Sequence, residues 1–273
     1  MRKPYKEKNM NTSQNDELKK VVKEHYSKVA VNASGCCGSG SSPCCGPGES
    51  LTQISEKIGY RPDEISQIPD GADLGLGCGN PLGLAKIKEG DTILDLGSGG
   101  GIDCFIASKK VGPLGKVIGV DMTPEMITRA RRNAEAAGYK NVEFRLGDIE
   151  ALPVASDSVN LIISNCVINL SPSKRQVYAE AFRVLKPGGE ISISDIVAFK
   201  PLSDEWRRNL EAFAACVSGA ALIDDLFEIL KTSGFVDIQI TPDPRSSQMI
   251  KEWFPGSGLE EYIVSAHISA RKP

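Results

Sequence analysis

The chain has 273 residues, 41% of them hydrophobic and 25% charged, with a formal net charge of −3. That length holds one large α/β core plus an appendage, and a slightly acidic, evenly charged chain offers no electrostatic footprint for nucleic acid or an anionic membrane. The opening residues, MRKPYKEKNMNTSQNDE, lack the apolar run of a secretory signal, and the longest small-apolar stretch, Ala212 to Ile223, is broken by Ser218 and Gly219 and is too short to span a bilayer. A cytosolic location is expected, where eight cysteines point to metal binding, redox chemistry or catalysis rather than a static disulfide framework.

Residues 1–15 are polar and expected to fray. From Asp16, the residues Leu18, Val21, Val22, His25, Tyr26 and Val29 recur at helical spacing and predict an amphipathic helix. His25 sits on or beside its apolar face, where a packed or boundary imidazole is the better reading than a catalytic base. Residues 34–50, SGCCGSGSSPCCGPGES, are a Gly/Ser/Pro segment with two vicinal pairs, Cys36-Cys37 and Cys44-Cys45. Such a segment suits thiols that enter a site, exchange disulfides and leave. A four-cysteine zinc site fits less well, because adjacent cysteines depart from the usual C-x2-4-C knuckle, and a passive linker is the third reading. Residues 51–70 carry two short helical patterns, the second with Pro62 in its first turn. The stretch GADLGLGCGNPLGLAKIKEG follows, with Cys78 between two glycines that leave its thiol uncovered.

The chain is organised around Asp91 to Asp121. Thr92, Ile93, Leu94 and Leu96 predict a buried parallel strand. Gly97, Gly99, Gly100 and Gly101 then form a loop whose backbone N–H groups can close on a ligand, and Ile102 begins a helix. A second apolar run, Lys116 to Val120, ends in Asp121, an acidic side chain placed to take ribose hydroxyls. The dinucleotide pattern G-x-G-x-x-G would need glycine where Ile102 stands; the residues fit D-x-G-x-G-x-G from Asp95 to Gly101 instead. A carboxylate ahead of the loop is awkward for a diphosphate and useful for a cationic amino-acid group, which suits S-adenosylmethionine, whose ammonium and sulfonium are both positive. These residues resemble motif I of the class I S-adenosylmethionine-dependent methyltransferases.

Downstream, Thr123 and Pro124 start a helix that Gly138 stops, and Val142 to Asp148 predicts a strand whose acidic end could take an adenine amino group. Val159 to Ser164 is a further buried strand, with Asn165, Cys166, Val167, Ile168 and Asn169 at its end. A helix over 173–185 leads into KPGGEISISD, a turn and another strand. Asp204 to Ala221 predicts a helix carrying Cys216, and Asp224 to Thr232 a second helix. Phe235 to Ile240 and Tyr262 to Ala270 predict two closing strands, joined by a Pro/Gly-rich connection through Trp253-Phe254-Pro255. The fold class is α/β, a doubly wound Rossmann-like sheet with a C-terminal antiparallel strand pair. The expected organisation is an N-terminal helix with a Cys/Gly-rich segment over 1–50, a cofactor-binding domain over 51–198, and a substrate-side region with the closing strands over 199–273.

Ligands of such a sheet lie beyond the carboxyl ends of its strands, which brings Cys78, Cys166 and Cys216 to one edge. Cys104, inside the helix after the glycine loop, reads as a small buried hydrophobe. The stretch NCVINLSP supplies no His, Lys or carboxylate to deprotonate a hydroxyl or amine acceptor. Trivalent arsenic on three thiolates needs no such base, because the lone pair on arsenic itself attacks; incidental core cysteines are the alternative.

LGLGCGNP, DLGSGGGIDCF, GVDMTPEM, SNCVINLSP, FRVLKPGG and ACVSGA together resemble the arsenite S-adenosylmethionine methyltransferase family. The resemblance implies that Cys78, Cys166 and Cys216 bind trivalent arsenic and that an N-terminal cysteine, Cys44 or Cys45, takes part in disulfide exchange. It further implies that Asp95, Gly97, Ser98 and Gly99 hold the methionyl part of S-adenosylmethionine, Asp121 the ribose, Met122 the adenine face, and Asp148 with Ile149 the adenine edge. Thioredoxin or glutathione is the expected reductant, no stable metal cofactor is needed, and a monomer is the default. The rivals are a methyltransferase for an organic carbon or oxygen acceptor such as a quinone precursor, and a thiol protein that binds metalloids without turnover.

Overall fold

The computed structural model describes residues 12–31, 50–209, 212–213 and 215–273, so Cys36, Cys37, Cys44 and Cys45 lie outside the described residues. Eight strands form one sheet: β1 (Thr92–Leu96), β2 (Lys116–Asp121), β3 (Val142–Leu146), β4 (Val159–Asn165), β5 (Leu185–Ala198), β6 (Ala221–Leu222), β7 (Val236–Pro242) and β8 (Ile263–Arg271). Their order is β3-β2-β1-β4-β5-β8-β7, with β6 beside β5. The first five strands pair in parallel, and β8 runs antiparallel to both β5 and β7.

Side chains alternate across each strand, and the central strands are apolar on both faces. Leu94, Leu96, Ile118, Val120 and Ile162 pack on one side, against the helices Lys174–Val184 and Ile223–Thr232. Ile93, Val117, Leu161 and Ile163 pack on the other, against Ile102–Val111 and Pro124–Ala136. Strand order reverses between β1 and β4, and that reversal opens a crevice at the carboxyl ends of both strands. A first helix, Thr12–Val31, runs along this edge, and its Val22 belongs to a third apolar cluster that also contains Cys78, Cys166 and Cys216. Among the described residues no helix is long and apolar enough to cross a membrane.

Four local expectations are corrected. The helix predicted from Asp204 to Ala221 stops at Arg208. Residues 212–213 are helical again, and Cys216 lies in a turn that ends in β6. The turn is forced by close packing: a Cβ on Gly219 would sit 2.0 Å from the Asn169 carbonyl oxygen, so the backbone there touches the loop after β4. The Pro/Gly-rich connection before β8 contains a helix, Ser246–Trp253. Asp243 starts it, accepting the Arg245 N–H on its carboxylate and the Ser246 hydroxyl on its carbonyl, a start signal that the neighbouring Pro244 obscures. The predicted strand over Val142 to Asp148 ends at Leu146, and Asp148 forms an isolated bridge with Ala151. The KPGG stretch, expected as a turn before the strand, instead lies within β5 as an irregularity, where pairing jumps from Val159 with Leu185 to Leu161 with Glu190.

Candidate active site

At one end of the crevice the glycine loop turns under β2. The N–H groups of Gly97 and Ser98 donate to the Val120 carbonyl at 2.7 and 3.0 Å. Gly97 has φ +73, and a Cβ there would fall 2.3 Å from Val167 Cγ2, so only glycine lets the loop pass beneath the chain that follows Cys166. Asp121 ends β2 and accepts the Gly99 N–H at 3.0 Å and the Thr123 N–H at 2.8 Å. Burial raises its pKa, and those two donors oppose the rise. The space beside Gly99 is open, and the buried Ser98 hydroxyl has no hydrogen-bond partner.

A cleft of about 200 Å³ is lined here by Gly97, Ser98, Gly99, Asp121, Met122, Asp148 and Ile149, with Cys166 and Cys216 at its other end. The unpartnered Ser98 hydroxyl, the open face at Gly99 and the Asp121 carboxylate fit a nucleoside that carries a polar amino-acid tail. Asp95 is placed differently. It is buried, does not line the cleft, and accepts the Cys104 thiol at 3.2 Å. Burial first and the Asp103 charge second push its carboxyl well above the usual carboxylate range. Cys104 is buried as expected, yet it serves as a hydrogen-bond donor as well as a hydrophobe.

The other end is made of sulfur. Cys78 and Cys166 are joined as a disulfide, with Cα atoms 5.9 Å apart across a sequence separation of 88. The Cys78 N–H donates to Asn165 Oδ1 at 3.1 Å, and its carbonyl accepts the Ser265 hydroxyl at 2.7 Å, so both β4 and β8 hold it. The Cys166 N–H donates to the Ser194 carbonyl of β5 at 2.8 Å. The Cys216 thiol donates to the Cys166 carbonyl, and Asn169 Nδ2 donates to the Cys216 carbonyl at 3.1 Å. Cys166 and Cys216 have φ of +56 and +62, backbone positions uncommon for residues other than glycine, asparagine and aspartate. Strain of this kind collects where a side chain must be aimed.

Several residues at or beside the cleft were not singled out as site residues in the sequence reading. Lys19, Val22, His25 and Tyr26 of the first helix form a wall, and Lys19 Nζ reaches Glu150 at 2.9 Å and Asp148 at 3.7 Å. His25 is a boundary imidazole whose pKa burial lowers. Tyr60 donates to both oxygens of buried Asp103, at 2.8 and 2.9 Å, and accepts Asn165 Nδ2 at 2.9 Å. Burial raises Asp103 to about 7 against the Tyr60 hydrogen bond. Asp195, in β5, has a carboxylate oxygen that lies within 4.8 Å of the sulfurs of both Cys78 and Cys166. An acidic residue closing the alternating strand pattern ISISD was the available signal.

A parallel sheet with a glycine loop after its first strand, an acidic end to its second and an antiparallel closing pair defines a class I methyltransferase, and a family model described as a methyltransferase domain matches residues 87–234. The chain belongs to the arsenite methyltransferase family. The arsenite methyltransferase of Halobacterium salinarum is 47% identical over 263 residues, which cover 94% of this chain and 67% of that protein. The human arsenite methyltransferase is 34% identical over 233 residues, 80% of this chain and 58% of its own length. The chain thus spans 58 to 67% of these two relatives. Among solved structures, CrArsM, an arsenic(III) S-adenosylmethionine methyltransferase from Chlamydomonas reinhardtii, aligns with a TM-score of 0.62 at 30% identity, over 82% of this chain and 74% of that one.

Proposed function

We propose that this protein methylates trivalent arsenic, arsenite or methylarsenite, with S-adenosylmethionine lying along the glycine loop and the arsenic of arsenite held by Cys78, Cys166 and Cys216; methylarsenite, with two displaceable hydroxyls, takes two of these thiolates. The observation that carries the reading is the convergence of these three cysteines from distant segments on one buried cluster, two of them lining the end of the cleft that begins at Asp121. Family membership supports it.

When bound, S-adenosylmethionine supplies an electrophilic methyl on a sulfonium. Asp121 is placed for the ribose hydroxyls, Ser98 for a polar group of the methionyl part, and Met122, Asp148 and Ile149 for the adenine. The disulfide between Cys78 and Cys166 must first be opened by a thiol reductant such as thioredoxin or glutathione, which leaves as its own disulfide. Each thiol then displaces one hydroxyl from arsenous acid, and the thiol proton leaves with that hydroxyl as water. Three thiolates leave the arsenic lone pair free. That pair forms the new arsenic–carbon bond, the sulfonium–methyl bond breaks towards its sulfur, and arsenic passes formally from trivalent to pentavalent. Two thiolates that join as a disulfide return two electrons to arsenic. Cys44 or Cys45 is the proposed N-terminal participant, and the setting is the cytosolic thiol pool of a monomeric detoxification enzyme.

Thiol footprinting of the reduced protein tests the ligand set. Arsenite should protect Cys78, Cys166 and Cys216 from alkylation; alkylation of all three at the arsenite-free rate would contradict it.

A further inference from the structure

The short helix Leu51–Lys57 stands over the glycine-loop end of the cleft, and its sequence fixes it there. Ser50 starts it with a capping box: its hydroxyl accepts the Gln53 N–H, and the Gln53 side chain accepts the Ser50 N–H. Buried Ser55 donates to the Asp73 carboxylate at 2.8 Å. Asp73 belongs to a stretch that lies on the glycine loop, where a Cβ on Gly100 would sit 2.6 Å from the Ala72 carbonyl oxygen. Just beyond the helix, Tyr60 donates to Asp103, in the first turn of Ile102–Val111. These contacts hold Lys57, the last residue of the helix, at a cleft wall that Gly97, Gly100 and Asp103 also line.

The basic side chains that line the cleft, among the described residues, are Lys19, His25 and Lys57. Lys19 is engaged by Glu150 at 2.9 Å and Asp148 at 3.7 Å, towards the adenine end. Burial and then Lys28 lower the His25 pKa, so that imidazole is mostly neutral at pH 7. Lys57 Nζ lies 3.8 Å from the Glu252 carboxylate in a pair whose side chains are both half exposed. That separation exceeds a hydrogen bond, so a carboxylate entering the cleft can offer Lys57 a closer, charge-assisted contact. The amino-acid tail of S-adenosylmethionine ends in such a carboxylate. Asp103, Asp121 and Glu252 line the same cleft, and an anion entering beside them is repelled unless a cation stands next to it.

We propose that Lys57 binds the methionyl carboxylate of S-adenosylmethionine. The assignment rests on the reading of the glycine loop as the seat of the cofactor. Asp95 lies behind that loop, bonded to the Cys104 thiol, so the carboxylate of the tail is recognised from the helix Leu51–Lys57, a segment outside motif I.

The test reads binding alone, by isothermal titration of the reduced, full-length protein. The ligands share the adenosine: S-adenosylhomocysteine, its decarboxylated analogue, which keeps the amine, and methylthioadenosine, which lacks the whole amino-acid tail. Lys57 is half exposed, so Lys57→Met leaves the fold intact. The substitution should weaken S-adenosylhomocysteine about tenfold and leave methylthioadenosine within about twofold. The decarboxylated amine should bind as well or better, because a like charge has gone. Unchanged S-adenosylhomocysteine affinity overturns the inference and leaves the cofactor site standing. Equal weakening of all the ligands also overturns it, since it marks Lys57 as a structural residue. If the parent protein binds none of them, the cofactor reading and this inference fall together.

Discussion

The two ends of the cleft are built on opposite principles. At the nucleoside end, most of the ligand-facing groups come from one contiguous unit, β1 through β2, with Asp148 and Ile149 joining from beyond β3, and its centre is backbone: a glycine loop anchored on the Val120 carbonyl and tied by Gly99 to Asp121. At the sulfur end, the groups are side chains from four separate segments, brought together at Cys78, Cys166, Asp195 and Cys216 and aimed by backbone with positive φ at two of them. A backbone site tolerates few changes of shape, while a side-chain site tolerates few changes of chemistry.

The largest separation of the two ends is expected from Cys166→Ser. Methylation should drop by about a thousandfold or more, because the arsenic loses a ligand on which positioning depends, while S-adenosylmethionine affinity stays within about twofold. Isothermal titration beside a turnover assay checks it, and substantial turnover would break the distinction. Gly97→Ala should do the reverse in kind. A methyl group 2.3 Å from Val167 Cγ2 at φ +73 costs about 2–4 kcal/mol of stability, read from the urea midpoint, and weakens cofactor binding. Because Val167 follows Cys166, this change should also loosen the sulfur end, which sharpens where the two regions join.

The smallest expected effect lies between the ends, at Asp103. Its carboxyl is raised from 3.8 to about 7, chiefly by burial, so the folded protein holds a proton that the unfolded chain releases. The stability this group contributes is full below pH 3.8 and is lost as pH rises through about 7. Asp103→Asn should therefore flatten the fall in stability between those limits, measured as urea midpoints across pH. An unchanged slope would mean that burial does not keep the Asp103 carboxyl protonated against the Tyr60 and Asn165 hydrogen bonds.

The contrast also explains what the sequence disclosed. Alternating and continuous apolar runs, a glycine loop and Asp121 twenty residues beyond Gly101 determine the sheet centre and the nucleoside end, because those contacts are local in the chain. The sheet order and the antiparallel closing pair follow. The Asp204–Ala221 helix did not: its composition is helical, but the backbone turns extended at Asn209, whose side chain accepts the Ala212 N–H, and the approach of Gly219 to Asn169 shapes the turn beyond. Asp95 was assigned to the methionyl group from its place in the motif, but burial and the Cys104 thiol keep it behind the loop. Cys78, Cys166 and Cys216 were singled out by resemblance and by topology. Asp195 was missed because a carboxylate gains meaning there only from sulfurs far away in sequence.

The central claim is tested most directly by a time course of S-adenosylhomocysteine formation by the purified protein with S-adenosylmethionine, glutathione and the thioredoxin system, with and without micromolar arsenite, while the arsenic is speciated. The account predicts arsenite-dependent product in step with methylated arsenic, monomethylated species first. S-adenosylmethionine binding without any arsenic-dependent turnover would contradict it and turn the search to an organic acceptor.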